Sequence, residues 1–195
     1  MPGLPEPKPA TYDDLRALPE NVTGEILHGE LHVSPRPAPP HAFAGSGLGA
    51  DLHGAFHRKP GGPHGPGGWW IIDEPELHYG RHVLVPDLAG WRRERMPHYP
   101  PTPYFELAPD WVCEVVSPSS QRRDRVVKMA LYGEFGVRFL WLVDPLQRTV
   151  EAFERDGERW VLAGVAVQDE TEGRLPPFDA VALDVTRWWE GAPPA

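Results

Sequence analysis

The sequence predicts an α/β protein, a mixed sheet flanked by helices, and three observations carry that expectation. Short apolar runs bounded by glycine, proline or aspartate recur at 69–72, 83–91, 111–116 and 137–143, as strands do. Between the last two, residues 121–135 repeat apolar side chains at helical spacing. Two glycine-bearing turns, His28-Gly29 and Asp156-Gly157, each separate strand-like runs and so predict hairpins.

Taken in chain order, Thr11 stands as a helix cap before residues 12–18, with Asp13 and Asp14 where the helix dipole favours acids and Pro19 closing the segment. Residues 25–33 read as the first hairpin. Residues 41–57 place Phe43, Leu48, Leu52, Ala55 and Phe56 at helical spacing, although their glycines weaken the helix. The Gly/Pro-rich stretch 61–68 is a loop, a lid or a linker, leading into a strand at 69–72. Strands are expected at 75–78, 83–91 and 111–116, with a mobile Pro- and Arg-containing loop between the last two. Ser119 or Ser120 caps the helix over 121–135, whose Val126, Val127, Ala130, Leu131 and Phe135 share a face, and Gly136 ends it. The unbroken apolar run 137–143 predicts a central strand buried on both faces, followed by a hairpin over 149–154 and 159–163.

At 195 residues the chain is expected to form one domain over 11–190, with flexible termini at 1–10 and 191–195. No run approaches the roughly 18 apolar residues of a membrane helix, and the start lacks a signal-peptide profile, so a cytoplasmic protein that does not meet membrane is expected. Cys113 is the single cysteine, which excludes an intramolecular disulfide and a cysteine zinc site; it reads as a small buried hydrophobe. A net charge of −9 argues against sequence-independent coating of DNA, though not against a nuclease with local basic groups. The 25 prolines and 20 glycines fall at the ends and between the periodic segments, which leaves the apolar runs clean.

Asp87 and Glu114 each interrupt an apolar strand-like run, and a buried carboxylate needs a partner. Mg²⁺ is one, since it takes one or two carboxylates plus waters and phosphate oxygens. The other readings are an edge strand facing solvent, or pairing with an arginine such as Arg92 or Arg122. No close zinc spacing links the histidines, most of which read as surface residues.

An ordered series joins these pieces: Val-Pro-Asp-Leu-Ala at 85–89, Ala-Pro-Asp-Trp-Val-Cys-Glu-Val-Val-Ser-Pro-Ser at 108–119, Asp124 to Lys128 with Tyr132, and Gly-Val-Arg-Phe-Leu-Trp-Leu-Val-Asp-Pro at 136–145. From about Tyr12 to Phe178 it resembles the bacterial putative restriction endonuclease family of the PD-(D/E)XK nuclease-like superfamily. The resemblance implies a restriction endonuclease-like core and a Mg²⁺-dependent (Mn²⁺ as alternative) endonuclease acting on DNA. Asp87 and Glu114 would be its metal ligands and catalytic acids. The superfamily's lysine two residues after the second acid is missing, because Val116 stands there. Members of this family are similar in carrying it on the next helix, which here is Lys128; a solvated surface lysine is the other reading. By the same resemblance Glu25 matches an acid of the early hairpin, against an exposed strand residue. His41 matches a histidine at the helix start, against a capping or packing role, and Ser117 is expected beside it at the substrate.

The basic runs 92–95 and 122–125 could contact phosphate or be solvated faces. A rival reading is a weak or inactive nuclease-like domain serving as a nucleic-acid-binding or regulatory module. The superfamily's habit of pairing subunits implies a homodimer, with Trp188-Trp189 either at its interface or closing the core.

Overall fold

A computed structural model describes residues 8–192. The expected flexible ends lie largely outside these residues; within them, Ala10 donates its amide to the Gly29 carbonyl and Ala192 donates to that of Trp189. In chain order the elements are α1 (Tyr12–Arg16), β1 (Val22–Leu27), β2 (Glu30–Pro35), α2 (Pro39–Phe56), β3 (Trp69–Asp73), β4 (Leu77–Tyr79), β5 (His82–Leu84), β6 (Leu88–Arg92) and β7 (Trp111–Val115). A π-helical segment (Arg123–Lys128), α3 (Met129–Glu134), β8 (Phe139–Asp144), β9 (Thr149–Asp156), β10 (Arg159–Val167) and a 3₁₀ turn (Val185–Trp189) follow.

Two sheets result. β2-β1-β5-β4 is antiparallel, and its first hairpin turns through His28 and Gly29 at φ of 52° and 83°, the left-handed pair that a two-residue turn requires. The larger sheet runs β10-β9-β8-β7-β6-β3. Only β7 and β8 are parallel, because a helical crossover joins them. On one face of this sheet α2 buries Ala44, Leu48, Leu52 and Phe56 against Ile71, Trp111, Trp141 and Phe178. Trp188 and Trp189 belong to this core at 0% and 6% exposure, so they close it and present no interface. The other face packs Val112, Val116, Leu140 and Leu142 against Leu131 and Tyr132 of α3 and Leu27 and Leu84 of the small sheet.

Several expectations need correction. The run 83–91 is not one strand: Leu84 ends β5 in the small sheet and Leu88 begins β6 in the large one. Pro86 lies in the gap, where its missing N–H cannot extend a ladder, and Asp87 therefore sits at a crossing between sheets instead of on a strand. In the helix over 121–135 the buried positions of the π-helical segment are Asp124 and Lys128, and Val126 is 61% exposed. Charged residues with partners inside turn Val126 and Ala130 outward, while Val127 stays partly buried against the core. Phe43 likewise points outward, at 53% exposure. His53 and His57 are not free surface residues, since both bond the backbone of Ile71. The 92–95 run is structural: Arg93 donates to the Trp69 carbonyl and covers the Trp70 ring, and Arg95 pairs with Asp110, all at the end of β6 away from Asp87.

Candidate active site

The register of the large sheet brings the two acids together. Leu88 lies opposite Cys113, so antiparallel β6 and β7 set Asp87 beside Glu114. Asp87 Oδ2 accepts the Val115 amide at 2.6 Å, which fixes the carboxylate across the strand gap. Its Oδ1 lies 2.7 Å from His41 Nε2, on the first turn of α2. Neither acid pairs with Arg92 or Arg122; their partners are His41 and Lys128.

Lys128 is 2% exposed and its ammonium has three acceptors: Glu114 Oε1 at 2.7 Å, Glu25 Oε1 at 2.8 Å and the Val85 carbonyl at 3.2 Å. Three donors meeting three acceptors leaves no proton of the buried cation unsatisfied. Glu25 comes from β1 and also accepts the Val85 amide at 2.9 Å, so it ties the small sheet to the strand break before Asp87. Lys128 and Glu25 are therefore interior groups. The Tyr132 hydroxyl, one turn beyond Lys128, donates to the same Glu114 Oε1, and among the described residues Oε2 has no donor.

Burial and charge act against each other here. Burial pushes the Glu114 carboxyl well up; Lys128 opposes this, and Asp124, Asp87 and Glu25 add to it. Burial works to strip the proton from Lys128, yet Glu114, Glu25 and Asp124 together overcome it and hold the ammonium above its ordinary range. Asp124 is raised by burial against the pull of Lys128 and Ser120. For His41 burial favours the neutral ring, but the hydrogen bond and charge of Asp87, with Asp124 and Glu74, outweigh it and raise the imidazole.

A cleft of about 490 Å³ collects all six residues expected from the sequence: Glu25, His41, Asp87, Glu114, Ser117 and Lys128. It also contains Glu74 and Arg36, which sequence reading missed, Asp124, which it quoted without giving it a site role, and Arg123 of the basic run 122–125, while Tyr132 stands behind Glu114. A signal for the roles of Asp124 and Tyr132 was available, because Asp124, Lys128 and Tyr132 recur every four residues and so share a helix face. Nothing local marked Glu74, which the chain places there by fold. Ser117 bonds within its own turn, to the Ser119 and Ser120 hydroxyls at 3.1 Å each. Arg123 donates to Ser34 Oγ at 3.0 Å and lies 3.7 Å from Glu25.

Five carboxylates (Glu25, Glu74, Asp87, Glu114 and Asp124) line the cleft against three permanent cations (Arg36, Arg123 and Lys128), a formal excess of two negative charges with His41 neutral. A divalent cation would balance that excess, and hard carboxylate oxygens are the donors Mg²⁺ prefers. Among the described residues no three His, Cys, Asp or Glu side chains converge into a metal cage. Two carboxylates beside open space are nevertheless enough for an ion that keeps water ligands. The residues present fit such an ion, which Asp87 and Glu114 would hold.

The protein-family model described as putative restriction endonuclease, Uma2, matches residues 9–186. No curated protein matches the chain. Among solved structures, the crystal structure of a putative nuclease belonging to DUF820 from Anabaena variabilis ATCC 29413 superposes with a TM-score of 0.71 over 93% of this chain and 98% of that one, at 22% identity. At that identity the likeness speaks for the fold, which is nuclease-like. Among the described residues no helix is long and apolar enough to cross a membrane. With the family pattern running from the first helix to residue 186, through both sheets, the chain belongs to the putative restriction endonuclease family, Uma2.

Proposed function

We propose that this protein is a Mg²⁺-dependent endonuclease, with Mn²⁺ as an alternative ion, that hydrolyses phosphodiester bonds in DNA. The observation that carries the reading is the junction of Glu114, Lys128 and Glu25 directly beside Asp87, at the floor of an open, negatively charged cleft. A divalent ion held by Asp87 and Glu114 would lower the pKa of a water and offset charge growing on the phosphate. The chain's own groups prepare that site. Lys128 and Tyr132 both engage Oε1 of Glu114, which leaves Oε2 without a donor among the described residues; Val115 and His41 fix Asp87 through one oxygen each. His41 and Ser117 stand at the cleft wall as contacts for substrate, and Arg36 and Arg123 supply local positive charge to a chain whose total is −9.

One observation favours a second reading, a module that binds nucleic acid or regulates without cutting efficiently: all three Lys128 donors are already used inside the protein. Plasmid cleavage by purified protein with Mg²⁺ or Mn²⁺, beside Asp87→Ala and Glu114→Ala, separates the two. Cleavage that both variants lose is the expected result. Cleavage that survives both would sink the assigned site, and a wild type that binds DNA without cutting it under either metal would establish the second reading.

A further inference from the structure

Of the five carboxylates that line the cleft, four are already engaged inside the protein. Glu25 takes Lys128 and the Val85 amide, Glu114 takes Lys128 and Tyr132, Asp87 takes His41 and the Val115 amide, and Asp124 takes the Ser120 hydroxyl. Glu74 differs. Among the described residues its carboxylate has neither a hydrogen bond nor an ion pair, and the residue is exposed. Its backbone nevertheless fixes where it stands. β3 and β6 pair as far as Asp73 with Leu88, and one step beyond, the Glu74 amide donates to the Asp87 carbonyl at 2.9 Å. Glu74, Asp87 and His41 border both the cleft and a neighbouring groove of about 440 Å³ along α2, and the Glu74 charge reaches the His41 ring.

The conformation is one that a glutamate rarely takes. Glu74 has φ of 44°, in the left-handed region where a side chain crowds its own backbone, and the following Pro75 favours an extended residue before it. Glycine would adopt this φ without strain, yet a glutamate stands here. Strained residues persist where the surrounding structure over-determines them, and they gather at functional sites. A small divalent ion bound by two carboxylates keeps several waters, and those waters need acceptors. Lys128 cannot serve them, because it has only donors and all three are used inside the protein. Glu74 is the acceptor left free beside Asp87.

We propose that Glu74 is a third acid of the cation site: its carboxylate accepts hydrogen bonds from waters carried by the ion that Asp87 and Glu114 would hold, and so orients the water that attacks phosphorus. The ion and the reaction rest on the proposed function. Contact through water suits the side chains as they stand, since among the described residues no three acids or histidines converge on one point. Titration calorimetry of Mn²⁺ into the metal-free full chain, without DNA, reads the site apart from cleavage. Glu74→Gln should raise the Mn²⁺ Kd about tenfold or more, as loss of an outer partner does at metal sites, and Asp87→Ala should abolish binding. Glu74→Gly adds a readout that a solvated surface residue would not give: metal-free protein should melt at or above the wild-type temperature, because glycine relieves the strain, while Mn²⁺ affinity and Mn²⁺-dependent plasmid cleavage both fall. Unchanged Mn²⁺ affinity in both Glu74 variants, with binding lost in Asp87→Ala, would overturn the role of Glu74 and leave the proposed function standing. A Glu74→Gly protein that melts below wild type would also overturn it. A wild type that binds Mn²⁺ through Asp87 and Glu74 yet cuts no plasmid would support the assignment and sink the nuclease reading, and a wild type that binds no Mn²⁺ would overturn both.

Discussion

Cys113 and Glu114 are neighbours on β7, both buried, and they face opposite worlds. Cys113 points with Trp111 and Val115 into the tryptophan core, where Trp141 and Phe178 complete an apolar wall. Burial pushes its thiol well up, and Asp87 and Glu114 add to the effect, so it is held as an inert thiol. Glu114 points with Val112 and Val116 to the other side, and there meets Lys128 and Tyr132. Burial raises both groups. The partners decide that one is packing and the other a poised carboxylate at the wall of a cleft.

The largest effect should come from breaking either face at its centre. Lys128→Met and Trp141→Ala are each expected to cost about 3–5 kcal/mol, the first by stranding buried carboxylates and the second by opening a cavity. Their pH dependence tells them apart. Without Lys128, the group that lowers Glu114 is gone, and its folded pKa climbs further above the 4.5 of an ordinary glutamate. A raised folded pKa gives stability that is present below the unfolded value and lost as pH rises through the folded one. Denaturation of Lys128→Met should therefore approach wild type on acidification, whereas the Trp141→Ala deficit should persist. Equal deficits at pH 4.5 and 8 would contradict the charge account.

Next in size, Glu114→Gln keeps the shape of the strand and the Tyr132 contact but removes the charge. Metal-dependent cleavage should fall at least about a hundredfold while the melting temperature moves far less than in Lys128→Met. On the opposite face, Cys113→Ala should cost about 1 kcal/mol and leave cleavage unchanged, and native protein should resist thiol reagents until unfolded. Fast labelling of the folded protein would mean that this face opens. The smallest effect concerns the cleft rim: in metal-free protein the His41 ring should titrate above 6.5 by NMR, and Asp87→Asn should bring it down. Its contribution to stability is present below 6.5 and lost as pH rises through the folded value. A midpoint that ignores Asp87→Asn would separate the pair.

Much of the fold could be read in the chain because its signals are local. His28-Gly29 is the turn of the first hairpin, Gly157 at φ of 58° opens that of the second, one residue beyond the expected Asp156-Gly157, and Gly136 with φ of 84° ends the helix where expected. The mistakes share a cause. Residues 83–91 look like one strand because Val85 and Leu88 are apolar, but nothing in a run of residues says that two sheets will claim its halves. Val126 and Ala130 look like a core stripe, yet the inward face of that helix carries Asp124 and Lys128 because their counter-charges arrive from β1 and β7.

For the acidic pair, the sequence by itself determined that Asp87 and Glu114 interrupt apolar runs and need partners, while Lys128 as the lysine beside them was what the family resemblance implied. Side-chain chemistry and spacing are written along the chain. Only the tertiary structure decided that Asp87 lies at a break between sheets, that Glu25, 103 residues before Lys128, shares its ammonium, and that Tyr132 and His41 each hold one acid in place. Those contacts depend on strand register and on which helix face turns inward. Both are set by the packing of the whole chain, because a buried charge is tolerable only where distant segments deliver its partners together.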